Sequence, residues 1–181
     1  EAAASILAYY GIEGKTMDGT KLFAFSNCSL LTQSTEEIPQ GSYKEQQEIE
    51  GKGTVSTYVP FRNGLFLSAA ASLALSLDCG YIYYGAHSDD AAGNAYPDCT
   101  EHFYKSMGDA IFEGSGKECS LEAPFINHNK ADVVKEGLRL GVPYHLTWSC
   151  YEGGDKPCGH CGTCIDRAEA FRANGVEDPA Q

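Results

Sequence analysis

Four cysteines near the carboxyl end of this 181-residue sequence offer its plainest chemistry. In SCYEGGDKPCGHCGTCIDR, Cys158, Cys161 and Cys164 follow one another at two-residue gaps, and Cys150 joins them across a seven-residue loop containing Gly153 and Gly154. Such gaps let thiolate sulfurs converge at about 2.3 Å on one tetrahedral zinc. Four sulfurs close the shell and leave no position for an activated water, so the expected zinc is structural, one per chain. Cys158-Gly-His-Cys161 also matches the dithiol motif of disulfide isomerases. Pro157 before the pair and Cys164 at the same interval after it favour the metal instead. His160 could replace a thiolate, but four cysteines suffice.

Phosphate-binding chemistry is harder to find. Gly116-Lys117 has the ending of a phosphate loop, but Glu118 stands where Ser or Thr should bind magnesium and Ile111 where the first Gly should be. The remaining cysteines, Cys28, Cys79, Cys99 and Cys119, lie far apart, which favours a reducing, cytoplasmic setting over a disulfide framework.

The elements that would position this chemistry alternate along the chain. Glu1 to Tyr10 is Ala-rich and stops at Gly11, a helix with its left-handed end. Lys21 to Asn27 reads as a strand, and the polar stretch from about Gln33 to Thr57 as a mobile flap or a disordered connection. Asn63 can cap a helix from Gly64 to Leu77, stopped by Gly80, and Tyr81 to Ala86 has the aromatic and β-branched look of a buried strand. Asp98 with Glu101 forms a capping-box pattern ahead of Phe103, Met107, Ala110 and Ile111. A further helix runs from Lys130 to Leu140, capped by Asn129, with Val134 and Leu138 on its inner face and Gly141 with Pro143 as the stop. Tyr144 to Trp148 reads as a strand leading into the cysteines.

Strands separated by helices of this length indicate an α/β fold, a mainly parallel sheet with helices on both faces, carrying a small C-terminal zinc lobe. The domain reading is 1–148 for the α/β unit and 149–172 for the lobe. A net charge of −12 with scattered Lys and Arg disfavours bulk nucleic acid but not a pocket for one nucleotide. No apolar run reaches the length of a membrane span, and the longest, Leu65 to Leu77, is interrupted by serines.

Four blocks carry a family resemblance: VPFRNGLFLSAAASLA (Val59 to Ala74), GAHSDDAAGNAYPDCTEHF (Gly85 to Phe103), EAPFINHNKADVVKEGLRLGVPY (Glu122 to Tyr144) and the four-cysteine tail. In this order they resemble the 7-cyano-7-deazaguanine synthase family of the PP-loop ATP pyrophosphatases, from Glu1 to about Phe171. The resemblance implies a Rossmann-like, adenine nucleotide alpha hydrolase-like fold. It also implies a Ser-Gly-Gly-x-Asp-Ser loop for the ATP phosphates, which this sequence lacks. An N-terminal truncation and an inactive fragment are therefore the expectation.

The implied reaction joins 7-carboxy-7-deazaguanine and ammonia, with ATP and Mg, to make the nitrile in queuosine-type base biosynthesis. In this reading Arg62 and Lys130 neutralise phosphate charge, Asp98 and Glu122 accept hydrogen bonds from the guanine-like edge, and Asn63 and Asp89 border nucleotide or substrate. Zinc is needed for none of these steps, and a homodimer is compatible with them. The alternatives are another PP-loop ligase, a tRNA-modifying enzyme, or a noncatalytic zinc-stabilised binding module.

Overall fold

The computed structural model describes residues 2–14, 37–51 and 53–180; the strand expected at 21–27 lies outside them. Helix α1 (Ala2–Tyr9) opens the chain, and Gly11 follows it at φ +63°. Helix α2 (Tyr43–Glu50) stands where the sequence suggested a flap. Its cause is local: Ser42 accepts from the Glu45 backbone N–H while the Glu45 carboxylate accepts from the Ser42 N–H at 2.7 Å, a complete capping box inside the polar run.

Strand β1 (Tyr81–Tyr83) pairs in parallel with β2 (Ser120–Glu122), Ile82 opposite Leu121. These are shorter than the aromatic run suggested, but a Tyr84 N–H bond to the Glu122 carbonyl (2.8 Å) prolongs the ladder. The Ile82 and Leu121 side chains are buried against Leu67 and Ala74 of α3 (Arg62–Ser76) and Ile111 of α5 (Glu101–Gly114). Alternation sends Tyr81 and Tyr83 to the other face, where they stay 64% and 74% exposed, so the expected second helical layer is not seen there among the described residues.

Three helix boundaries differ from expectation. Helix α3 begins at Arg62 behind a left-handed Phe61, so Asn63 sits in its first turn and does not cap it. It ends at Ser76 with Leu77 as its C-cap, and Asp78, not Gly80, lies in the left-handed region. Helix α5 is capped by Thr100, whose hydroxyl accepts from the Phe103 N–H at 3.1 Å, and Asp98 lies instead on the preceding 3-10 turn, Pro97–Cys99.

Helix α6 (Lys130–Leu140) forms as expected, with a capping box between Asn129 and Asp132 and Gly141 at φ +70°. Its inner face is Val134 and Gly137, three apart, and Leu138 is 41% exposed. The Gly137 position admits the Tyr144 hydroxyl where any Cβ would collide. Tyr144–Leu146 is a 3-10 turn, not a strand, because Tyr144 turns back to donate to the Val133 and Val134 carbonyls. Helix α7 (Gly162–Ala173) packs along α6 through Ala170 and Phe171.

Candidate functional site

Parallel pairing decides where the chemistry can gather. Helix α3 enters β1 and α5 enters β2, so their N-termini return to the carboxyl end of the strands, while α6 leaves β2 with its N-terminus at that same end. Arg62, Asn63, Asp98, Glu122 and Lys130 therefore belong to one edge, together with the loop after β1 that carries Asp89. Open parallel sheets bind ligands at this edge.

Two clusters form there. In the first, short helix α4 (Ser88–Ala91) is stitched to the start of α6: the Ser88 N–H donates to the His128 carbonyl at 2.8 Å, and Asp89 Oδ2 accepts from the Lys130 N–H at 2.8 Å. The Lys130 ammonium extends the other way, 3.6 Å from Asp166 of α7. Asp89, Lys130 and Asp166 line a cavity of about 510 Å³ whose rim includes Ser42, Tyr43 and Lys44 from the start of α2. His87 is buried beside these groups, with Nε2 3.4 Å from Asp90 and Nδ1 without a partner among the described residues. Burial holds its pKa below the usual histidine value; Asp90 pulls it upward and Lys130 downward.

In the second cluster Asp98, only 2% exposed, uses Oδ2 to accept the Asn63 N–H at 2.9 Å and so caps α3 from a distant part of the chain. Tyr84 donates to the Asp98 carbonyl at 2.5 Å, and Asn63 Nδ2 reaches the same carbonyl at 3.3 Å. Asp98 Oδ1 has no partner among the described residues. Arg62 lies over the Tyr96 ring at 6.0 Å. Tyr96 belongs to a hydroxyl chain that links Thr57 (2.5 Å), Tyr151 (3.3 Å) and, through Tyr151, Tyr43 (3.0 Å). Burial, then the Asp90 charge, pushes the Cys99 thiol up to about 11, so it is no thiolate nucleophile at neutral pH.

Glu122, the last residue of β2, falls in neither cluster; it lines a separate cavity with Tyr104, Lys105 and Asp109. The edge thus brings Asp89 to Lys130 and Asn63 to Asp98, and keeps Glu122 apart from both. Sequence reasoning missed Asp166, Tyr43 and Tyr151. The spacing of Asp166, Glu169, Ala170 and Ala173 marks one helical face, but nothing local says what that face meets.

The four cysteines converge as expected. The sulfurs of Cys150, Cys158, Cys161 and Cys164 all lie within 4.8 Å of one another. Tetrahedral bonds of about 2.3 Å require sulfur separations near 3.8 Å, and Cys158 Sγ lies 3.9 Å from Cys164 Sγ. Backbone N–H groups already point at the sulfurs, Cys158 N at Cys150 Sγ and Cys161 N at Cys158 Sγ, both at 3.3 Å. Gly159 at φ +80° makes that knuckle turn. Burial drives the Cys164 thiol up to about 12, whereas at Cys161 burial is outweighed by hydrogen bonds from Thr163 and the backbone, which bring the thiol down to about 6. A divalent ion would favour the thiolate at all four. The residues fit a metal ion. The His160 ring lies outside the four-sulfur group but within 4.8 Å of the Cys158 sulfur and a Glu152 carboxylate oxygen, and it also meets Gln40, which pairs with Cys161 across an antiparallel bridge.

A carboxyl-edge cavity on parallel strands, with a cluster of four cysteines that could hold a metal ion beside it, defines an α/β protein with a candidate metal site. A family model described as queuosine biosynthesis protein QueC matches residues 1–175, and the chain belongs to that family. It is similar to the 7-cyano-7-deazaguanine synthase of Caldicellulosiruptor saccharolyticus, 45% identical over 84% of this chain and 64% of the relative. That of Psychromonas ingrahamii is 37% identical over 99% of this chain and 77% of the relative. The synthase of Archaeoglobus fulgidus is 46% identical over 80% of this chain and 57% of the relative. The chain thus spans roughly 57 to 77% of the length of these curated relatives.

Proposed function

We propose that the carboxyl-edge site serves an ATP-dependent, carbon–nitrogen bond-forming synthase that makes 7-cyano-7-deazaguanine from 7-carboxy-7-deazaguanine and ammonia. The observation that carries this reading is the meeting of Asp89, Lys130 and the first turn of α6 at one cavity of about 510 Å³, in a chain whose family members are named for that product.

A carboxylate is a poor acyl donor because oxide would have to leave. Attack of its oxygen on the α-phosphorus of ATP expels pyrophosphate and installs AMP as the leaving group. Ammonia then displaces AMP to form the amide. A second ATP converts the amide oxygen to an adenylate, and loss of AMP with the remaining N–H proton yields the nitrile. ATP enters as its magnesium complex. Lys130 supplies a fixed positive charge for the phosphates, reinforced by the N-terminal dipole of α6, and Arg62 supplies a second. Asp98 Oδ1, buried and without a partner among the described residues, is an acceptor suited to an N–H of the guanine-like edge, and Asn63 borders it. Glu122 lines a separate cavity and is given no role on this reading.

In this account residues 1–148 belong to a Rossmann-like nucleotide-binding unit and 149–172 to a lobe holding one structural zinc. Bound zinc would tie Cys150 to the start of α7 and take no part in the reaction. The protein works in the cytoplasm on small molecules, without bulk nucleic acid, and a homodimer is compatible with it. No described helix is long and apolar enough to cross a membrane.

The protein expressed from its complete reading frame should form the nitrile from 7-carboxy-7-deazaguanine, ATP and ammonia, with AMP and pyrophosphate released in step. No ATP-dependent turnover of that substrate sinks the assignment. Elemental analysis should find about one zinc per chain, lost with Cys161→Ser; a fully retained zinc in that variant would remove Cys161 from the ligand set.

A further inference from the structure

Helix α7 begins at a cysteine of the candidate metal cluster, Cys161 being its N-cap, and its roughly three turns run beside the first half of α6. Asn174 at its far end donates to the Ala131 carbonyl at 2.9 Å, which ties that end of α7 to the first turn of α6. Asp166, Glu169, Ala170 and Ala173, spaced i, i+3, i+4 and i+7, form one wall of the cavity that also exposes Lys130. The two alanines leave the space, and the acids face it. Lys130 Nζ and Asp166 Oδ2 are 3.6 Å apart with both side chains only 20% exposed, unlike the surface pair of Lys105 and Glu101.

We infer that the metal lobe, through α7, builds a wall of the functional cavity, and that Asp166 is a positioning residue holding the Lys130 ammonium in place. This rests on the reading of Lys130 as the phosphate-facing cation. A flexible lysine stem has many rotamers, and an anion fixed on a helix reduces them to those that reach into the cavity. The backbone half of Lys130 is held independently by Asp89, so the two carboxylates fix the residue at its two ends. On this inference the cysteines matter to catalysis only by setting where α7 begins.

The test is a double-mutant cycle on the protein from its complete reading frame, with Asp166→Asn, Lys130→Met and both together. Asp166→Asn should lower kcat/KM for ATP about 10- to 100-fold, the cost of a misplaced group, with Asp166→Glu recovering part of it. In the Lys130→Met background the same change should have less than about a twofold effect, because a residue acting through Lys130 has nothing left to position. Full multiplication of the two losses, wild-type rates in Asp166→Asn, or loss of zinc or of folding in Asp166→Asn would each overturn the inference. A second readout needs no turnover: acetic anhydride labelling followed by mass spectrometry should find Lys130 several-fold more reactive in Asp166→Asn, with Lys105 unchanged. Absence of turnover in the wild type would remove the proposed reaction, and this labelling ratio would still decide whether Asp166 holds Lys130; an unchanged ratio says that it does not.

Discussion

Asp98→Ala separates a structural carboxylate from a substrate-binding one. The side chain is 2% exposed, and its Oδ2 accepts a 2.9 Å bond from the Asn63 N–H in the first turn of α3. Truncation removes a charge-assisted hydrogen bond, worth about 1.5–3 kcal/mol. It also takes a negative charge away from a helix N-terminus, worth about 0.3–1 kcal/mol. The Asp98 carbonyl is main chain, so its bonds from Tyr84 and Asn63 survive. The expected loss is therefore about 2–4 kcal/mol. With a urea m-value near 2 kcal/mol/M, the midpoint should fall by about 1–2 M. Asp98→Asn keeps an acceptor for Asn63 and should lose about 1 kcal/mol or less. Urea unfolding at fixed free zinc, followed by far-UV circular dichroism, measures all three proteins. A loss under about 0.5 kcal/mol in Asp98→Ala would refute the claim that this carboxylate caps α3. A fall in substrate affinity without a fall in stability would give Asp98 wholly to the ligand.

The protonation of His87 should make stability pH-dependent. Its folded pKa is held by burial below the unfolded value of 6.5, so as pH falls below about 6.5 the unfolded chain takes up the proton first. Stability should fall from there at up to about 1.4 kcal/mol per pH unit, and His87→Gln should lose that part of the slope; the same slope in both proteins would refute it. Arg167 makes paired bonds to Asp178 (2.6 and 2.9 Å), and the Asp178 side chain is only 2% exposed. Asp178→Ala strands the guanidinium and should cost about 3 kcal/mol, the lower end for a broken buried pair, because Thr147 and the Tyr144 carbonyl still accept from it. Thermal unfolding checks this, and a change in Tm too small to resolve would place the pair in water.

What could be read in the sequence follows a simple distinction. The Asn129–Asp132 capping box, the Gly141 stop and the cysteine gaps each concern groups within a few residues, where chain geometry alone brings partners together. Asn63 and Asp98 were both read as caps from the same kind of local pattern, and both readings failed because of one contact: Asp98 caps α3 across 35 residues, leaving Thr100 to cap α5. The capping chemistry was legible and its address was not. A carboxylate near a helix start satisfies whichever orphan N–H the tertiary fold presents, and only the parallel pairing of β1 with β2 puts the starts of α3 and α5 side by side. The same limit hid Asp166. Its sequence neighbours are candidate metal ligands, which invites a structural reading of the whole tail, whereas its spatial neighbour is Lys130, 36 positions earlier. Residue type identified the lobe, but its bearing on the site depends on how α7 lies against α6. That follows from Ala170 and Phe171 packing on Val134 and not from the cysteines. A cysteine cluster recognised by its spacing therefore reaches the cavity through the helix that begins at Cys161.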